Sequence, residues 1–206
     1  MITEKDLDSL RKSVGLHMTP SRYRHTLGVE REMRFLSSAL APSLLPEAAA
    51  AGLLHDVTKC LSFDGQRAYC AENGIPVTED ETLAPALLHA KTGAHYACAN
   101  YPQFATEGVY DAILRHTTAA APLSLLAAML YVADFTEEGR DYPDCVRLRA
   151  MLREAPLSGD AGIAHFKRVL LAALDASLLE LVREGRPVAL CTVKARNAVL
   201  ANNLLF

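Results

Sequence analysis

The sequence predicts an all-α protein, and three observations carry that reading. Val29, Met33, Leu36 and Leu40 follow His25 at three- and four-residue steps, the spacing of one helix face. Helix start and stop signals punctuate the chain, from Thr19-Pro20 to Gly185-Arg186-Pro187. Only Val188 to Val193 has strand character, and that stretch is short.

The elements follow in order. Thr19 as N-cap and Pro20 at the first helical position open the helix that carries His25. Ala41 to Pro46 is a connector, and Pro46 starts a short helix ending around His55-Asp56. Phe63 to Glu72 forms a further helix, closed by Asn73-Gly74 and Pro76. Helices are expected from about His89 to Asn100 and from about Glu107 to Arg115. Pro122 is expected to open a strongly apolar helix that ends near Asp134. Tyr142-Pro143 begins a helix through Leu152, and a long amphipathic helix runs from about Ala161 to Glu184. No repeat, low-complexity tract or linker interrupts the chain. The expected organisation is one domain over 1–206, with a core at about 19–140 and a C-terminal helix and tail at 141–206.

Composition excludes several classes. The 206 residues suffice for one sizeable core. The net charge of -3 argues against a general nucleic-acid surface, so an anionic ligand must meet a local cluster of cations. The five cysteines (Cys60, Cys70, Cys98, Cys145, Cys191) include no CxxC pair, which argues against a disulfide framework or a thiolate zinc site. The polar start, Met1-Ile2-Thr3-Glu4-Lys5-Asp6, lacks the apolar stretch of a signal peptide. No uncharged apolar run reaches the roughly 20 residues of a membrane span. The expected location is cytoplasmic, without a membrane partner.

Chemistry concentrates at His25, His55-Asp56 and Asp134, each at or near the end of an apolar helix or on its face. Singly, such a histidine is a hydrogen-bonded core residue and such an aspartate a cap. In the order His…His-Asp…Asp they supply two imidazoles and two carboxylates, an N/O set suited to a transition metal. A carboxylate at the end of a core helix is costly unless it is paired or metal-bound.

The local sequences around these residues make the pattern specific. They are Arg22-Tyr23-Arg24-His25-Thr26-Leu27-Gly28-Val29, Leu54-His55-Asp56-Val57-Thr58-Lys59, Leu88-His89-Ala90-Lys91-Thr92-Gly93-Ala94, Ile113-Leu114-Arg115-His116-Thr117-Thr118, and Leu130 to Arg140. In this order, over roughly residues 19 to 200, the chain resembles the bacterial HD-domain symmetrical diadenosine tetraphosphate hydrolases, the YqeK family. The resemblance implies a single HD-domain helical bundle and a homodimer. It implies an iron-type metal on His25, His55, Asp56 and Asp134, with one ion expected and room for a second. It implies central cleavage of diadenosine tetraphosphate into two ADP, with Asp56 also serving catalysis and His25 and Asp134 bordering the substrate.

The surrounding residues admit more than one role. His89 and His116 read either as exposed or capping histidines or as groups for phosphate contact, proton transfer or a second metal; the family places nucleotide phosphates there. Thr117 would donate its hydroxyl at the same place. Lys59, three residues after Asp56, either pairs with it or reaches a phosphate. Arg140, in a loop, suits bidentate phosphate contact. Thr192, Lys194, Arg196 and Asn197 resemble the family's nucleotide-contacting tail. Two departures fall near the expected phosphate pocket. Ala119-Ala120-Ala121 replaces a Gly-plus-basic continuation, and Glu137-Glu138 stands where the family has Glu-Pro before the pair here formed by Gly139-Arg140. They put substrate preference in question and leave room for an HD phosphohydrolase of another nucleotide or a nucleotide-binding regulator. A di-iron oxygenase on the same scaffold has no residue in its favour.

Overall fold

The Thr3 hydroxyl accepts the Asp6 amide, and the Asp6 carboxylate accepts the Thr3 amide. This reciprocal cap starts α1 (Glu4–Gly15), a helix that the sequence reading did not include. Leu7, Leu10 and Val14 on its inner face are buried. The computed structural model describes residues 2–206. The chain continues through α2 (Pro20–Leu40), α3 (Leu45–Leu54), α4 (Phe63–Glu72) and α5 (Glu79–Leu83). It then forms α6 (Leu88–Asn100), α7 (Glu107–Arg115), α8 (Leu125–Thr136), α9 (Pro143–Arg153), α10 (Gly159–Arg183) and α11 (Leu190–Leu200). Two 3-10 turns, Pro42–Leu44 and Pro85–Leu87, lead into α3 and α6. The fold is all-α, with no strand among the described residues.

Two expectations are corrected. The apolar helix starts at Leu125 rather than Pro122, because Ser124 caps it by accepting the Ala127 amide at 3.2 Å. The stretch from Val188 is not a strand. Leu190 onward is helical, since no neighbouring strand offers a ladder to pair with and Thr192, Ala195 and Val199 find burial on one helical face instead.

Helix α3 is the centre of the arrangement. Every residue from Ala48 to Leu54 is buried, with α1, α2, α7 and α8 around it. A helix that is apolar all round is stable only in such surroundings. Its crossing with α2 depends on Gly52, where a Cβ would come within 2.9 Å of the Glu30 Cα. This close approach places the C-terminal end of α3, with His55 and Asp56, beside His25 on α2.

Buried charges fix the other side. Glu32 on α2 accepts from the Thr136 hydroxyl at 2.8 Å and from Arg153 at 2.6 Å, tying α2 to α8 and α9. Arg149 donates to the carbonyls of Thr136, Glu137 and Arg140, which clamps the turn after α8. One apolar cluster runs from Leu7 in α1 to Val199 in α11. Among the described residues no helix is long and apolar enough to cross a membrane.

Candidate metal centre

Three histidines share one local device. His55, His89 and His116 each place Nδ1 against the backbone carbonyl three residues earlier. The partners are Gly52 at 2.8 Å, Ala86 at 2.6 Å and Ile113 at 2.7 Å. A ring nitrogen facing a carbonyl is a donor, so in the neutral ring Nε2 carries the lone pair. All three rings are buried. His25 is held differently: its Nδ1 lies 3.1 Å from Oε1 of the buried Glu137. A carboxylate behind an imidazole is the usual support for a metal-binding histidine.

The Nε2 atoms converge on two adjacent points. His25, His55 and Asp134 form one triad and Asp56, His89 and His116 a second, with donor atoms in each within 4.8 Å of one another. Asp56 stands between them. Its Oδ2 lies 3.5 Å from His55 Nε2 and 3.8 Å from His25 Nε2, and its Oδ1 lies 3.1 Å from His89 Nε2 and 3.7 Å from His116 Nε2. The structure thus brings together His25, His55, Asp56 and Asp134, and adds His89 and His116 to them.

These atoms fit a cation. Nε2 of His25 and of His55 are buried without a hydrogen-bond partner, which is costly unless another group occupies them. His25 Nε2 is 3.0 Å from Asp134 Oδ1, close but not aligned as a hydrogen bond. That is how two donors to a shared centre lie. Nε2 of His89 and His116 are 3.0 Å apart. With both Nδ1 atoms donating to carbonyls, neutral rings have no proton to place between them. Burial keeps His89 neutral, with its pKa down at about 4 against the pull of Asp56.

Cations surround the triads. Arg22 Nη1 is 2.6 Å from Asp56 Oδ2, and Arg140 grips Asp134 at 2.6 Å through the carboxylate and 3.0 Å through the carbonyl. Lys59 Nζ lies 3.0 and 3.1 Å from the ring nitrogens of His89, and burial lowers its pKa. Burial would raise the pKa of Asp56 and of Asp134. Asp56 is nonetheless held well below the usual carboxylate range, as Asp134 is by His25 and Arg140. Both stay ionised and ready to bind a cation.

The HD domain family profile matches residues 22–139, more than half of the chain and all six of these His and Asp residues. The chain belongs to the HD-domain family. A relative from Halalkalibacterium halodurans, described as a symmetrical bis(5'-nucleosyl)-tetraphosphatase, is 26% identical over 186 residues, covering 89% of this chain and 91% of that protein. The protein of the same description from Bacillus subtilis is 27% identical over 171 residues, covering 83% and 85%. A crystal structure from Clostridium acetobutylicum, described as a predicted HD superfamily hydrolase involved in NAD metabolism, superposes with a TM-score of 0.81. It has 25% identity and covers 95% of this chain and 97% of that one. The chain is a hydrolase of the HD family.

Sequence reasoning missed several residues of the HD site. Arg22 lies one turn before His25 and Glu137 one turn after Asp134, a spacing that carried the signal in both cases. Arg24 and Arg31 were also missed. With Arg22 and Arg140 they border a cavity of about 610 Å³ beside His25. Lys59 is not ion-paired with Asp56, whose partner is Arg22. Thr117 borders a different cleft of about 300 Å³, with Thr78, Lys91 and Cys191. Thr192, Lys194, Arg196 and Asn197 lie on α11. Thr192 is buried, Lys194 and Asn197 are exposed, and Arg196 pairs with Asp175. Among the described residues none of the four bonds to the His/Asp cluster.

The site titrates in a way that can be measured. Burial lowers the proton affinity of His25, but Asp134 and Glu137 outweigh it and lift its pKa from 6.5 to about 9 in the metal-free protein. A cation needs the Nε2 lone pair and must displace that proton. Metal affinity is therefore expected to rise about tenfold per pH unit from pH 6.5 to about 9 and then level off. The sign follows from the raised pKa, because the proton competes most strongly at the acid end. Chelator-buffered titrations at stepped pH measure the slope, and a flat profile would contradict the assignment of His25.

Proposed function

We propose that the protein hydrolyses diadenosine tetraphosphate at its central phosphoanhydride and releases two ADP. One observation carries the reading: two adjacent His/Asp triads meet at Asp56, and His25 of the first borders a cavity with four arginines. That site couples a metal centre to a place for a chain of phosphates. The descriptions of the two bacterial relatives support the same substrate.

The mixed imidazole and carboxylate donors suit a borderline transition ion, and we assign iron. His25, His55 and Asp134 would hold one ion, and Asp56, His89 and His116 would hold a second. Bound there, the metal supplies an activated water and draws charge from a phosphoryl oxygen. The chain's own groups do the rest. Arg22 leaves Asp56 to meet a phosphate, and Arg140 holds Asp134 in place while facing the same cavity. Lys59 adds charge next to His89. ADP leaves as a stable anion, so charge neutralisation matters more than proton donation. The metal core at 19–140 and the tail at 141–206 act as one domain, in the cytoplasm and as a homodimer.

A second reading, an HD phosphohydrolase of a different nucleotide, has one observation in its favour. The segment after His116 carries no cation: Ala119 is buried and the Ala120 carbonyl is taken by Arg115 at 2.6 Å. A nucleotide panel on metal-loaded protein separates the two. Diadenosine tetraphosphate is expected to give the highest kcat/KM, ahead of nucleoside di- and triphosphates and alarmones. A higher value for one of those would replace the substrate and keep the metal chemistry.

A further inference from the structure

Two cavities meet at the wall of the metal centre, and their chemistry is opposite. The first, about 610 Å³, carries Arg22, Arg24, Arg31 and Arg140. Arg22 and Arg140 are engaged with Asp56 and Asp134. Arg24 and Arg31 are exposed and have no ion-pair partner among the described residues. They are seven residues apart on α2, two turns or about 10 Å, and form a row of free positive charge leading from the centre. Such a row selects a polyanion.

The charged residues around the second cavity, about 670 Å³, are Asp134, Asp144, Glu180, Glu184, Arg140 and Arg186. Arg186 is 3.4 Å from Glu180 and 2.7 Å from Glu184, so its charge is already met. Asp134 is met by Arg140 and Asp144 by Arg147 at 3.0 Å, which leaves Glu180 and Glu184 against the single Arg186; one negative charge remains over, and a phosphate gains nothing there. An uncharged group rich in N–H and O–H donors is welcome, since carboxylates only accept.

Arg140 and Tyr142 border both cavities. Tyr142 is the N-cap residue of α9 and is 64% exposed. Its ring stands in water where, with Arg140, it borders both cavities. An aromatic face in that position suits stacking on a base, whose sugar then enters the acidic side.

We infer that the substrate is divided between the cavities. The polyphosphate lies in the arginine cavity across the metal centre, and one nucleoside stacks on Tyr142 and turns into the acidic cavity. The inference rests on the nucleotide-hydrolase reading above and assigns Tyr142 as a nucleoside-binding residue, with Arg24 and Arg31 as phosphate-binding residues.

Calorimetric titration of the metal-loaded chain with ADP and with pyrophosphate tests it, because the ratio of the two affinities isolates the nucleoside. Tyr142→Ala is expected to weaken ADP about tenfold and to leave pyrophosphate within about twofold, with Tyr142→Phe restoring ADP. The double variant Arg24→Ala/Arg31→Ala is expected to weaken both ligands together, about fivefold or more, and to keep their ratio. Unchanged ADP affinity in Tyr142→Ala, or equal loss of both ligands, overturns the division. Wild-type protein that binds neither ligand overturns the nucleotide reading along with it.

Discussion

Asp56→Asn is expected to remove bound metal and hydrolysis together. The two oxygens of Asp56 face different triads, Oδ2 toward His25 and His55 and Oδ1 toward His89 and His116. An amide keeps the shape but offers a single acceptor oxygen. Its NH2 group then faces imidazole lone pairs that otherwise point at a cation. One substitution thus takes a ligand from the second triad and the adjoining carboxylate from the first. Turnover should fall about 10³-fold, equivalent to ~4 kcal/mol of transition-state stabilisation. Metal content should drop from the two equivalents that two triads can hold. Elemental analysis of the purified variant beside its turnover rate checks both. Retained turnover in a metal-free variant would rule out the metal centre as the seat of the chemistry.

Gly28→Ala should weaken metal binding about 10- to 100-fold although Gly28 touches no metal ligand. A Cβ at this position would lie 2.1 Å from Glu137 Oε2 and 2.9 Å from its Cδ. The Glu137 carboxylate must therefore swing away. In doing so it gives up the Gly139 amide at 2.7 Å and the His25 Nδ1 at 3.1 Å. His25 then loses the group that sets its ring orientation and the basicity of Nε2. Chelator competition gives the affinity, and a double variant separates cause from general damage. If Glu137 carries the effect, Gly28→Ala/Glu137→Ala binds metal no worse than Glu137→Ala alone. Additive losses would place the effect in helix packing instead.

Much of this architecture was legible in residue order because the elements that carry it obey local rules. Thr19-Pro20 gives the start of α2, and its hydroxyl does accept the Arg22 amide. His25, His55-Asp56 and Asp134 stand out as polar groups at the ends or on the faces of apolar helices, where burial demands a partner. What was not legible is set by tertiary contact. Helix α1 begins with a polar stretch, and its burial of Leu7, Leu10 and Val14 depends on surfaces supplied by later helices. Val188 to Val193 looked like a strand because β-branched and apolar residues suit either structure, and a missing pairing partner decided the outcome. His89 and His116 each had several plausible roles until the 3.0 Å approach of their Nε2 atoms joined them to Asp56. Arg24 and Arg31 looked like ordinary solvent-facing charges, and only the shape of the cavity beside α2 gives them a common purpose.

Product analysis tests the central claim most directly. Diadenosine tetraphosphate is incubated with iron-loaded protein and the nucleotides are separated by chromatography at early times. Central cleavage at the His/Asp centre predicts ADP as the sole product. AMP with ATP, or no product from metal-replete protein, would contradict it.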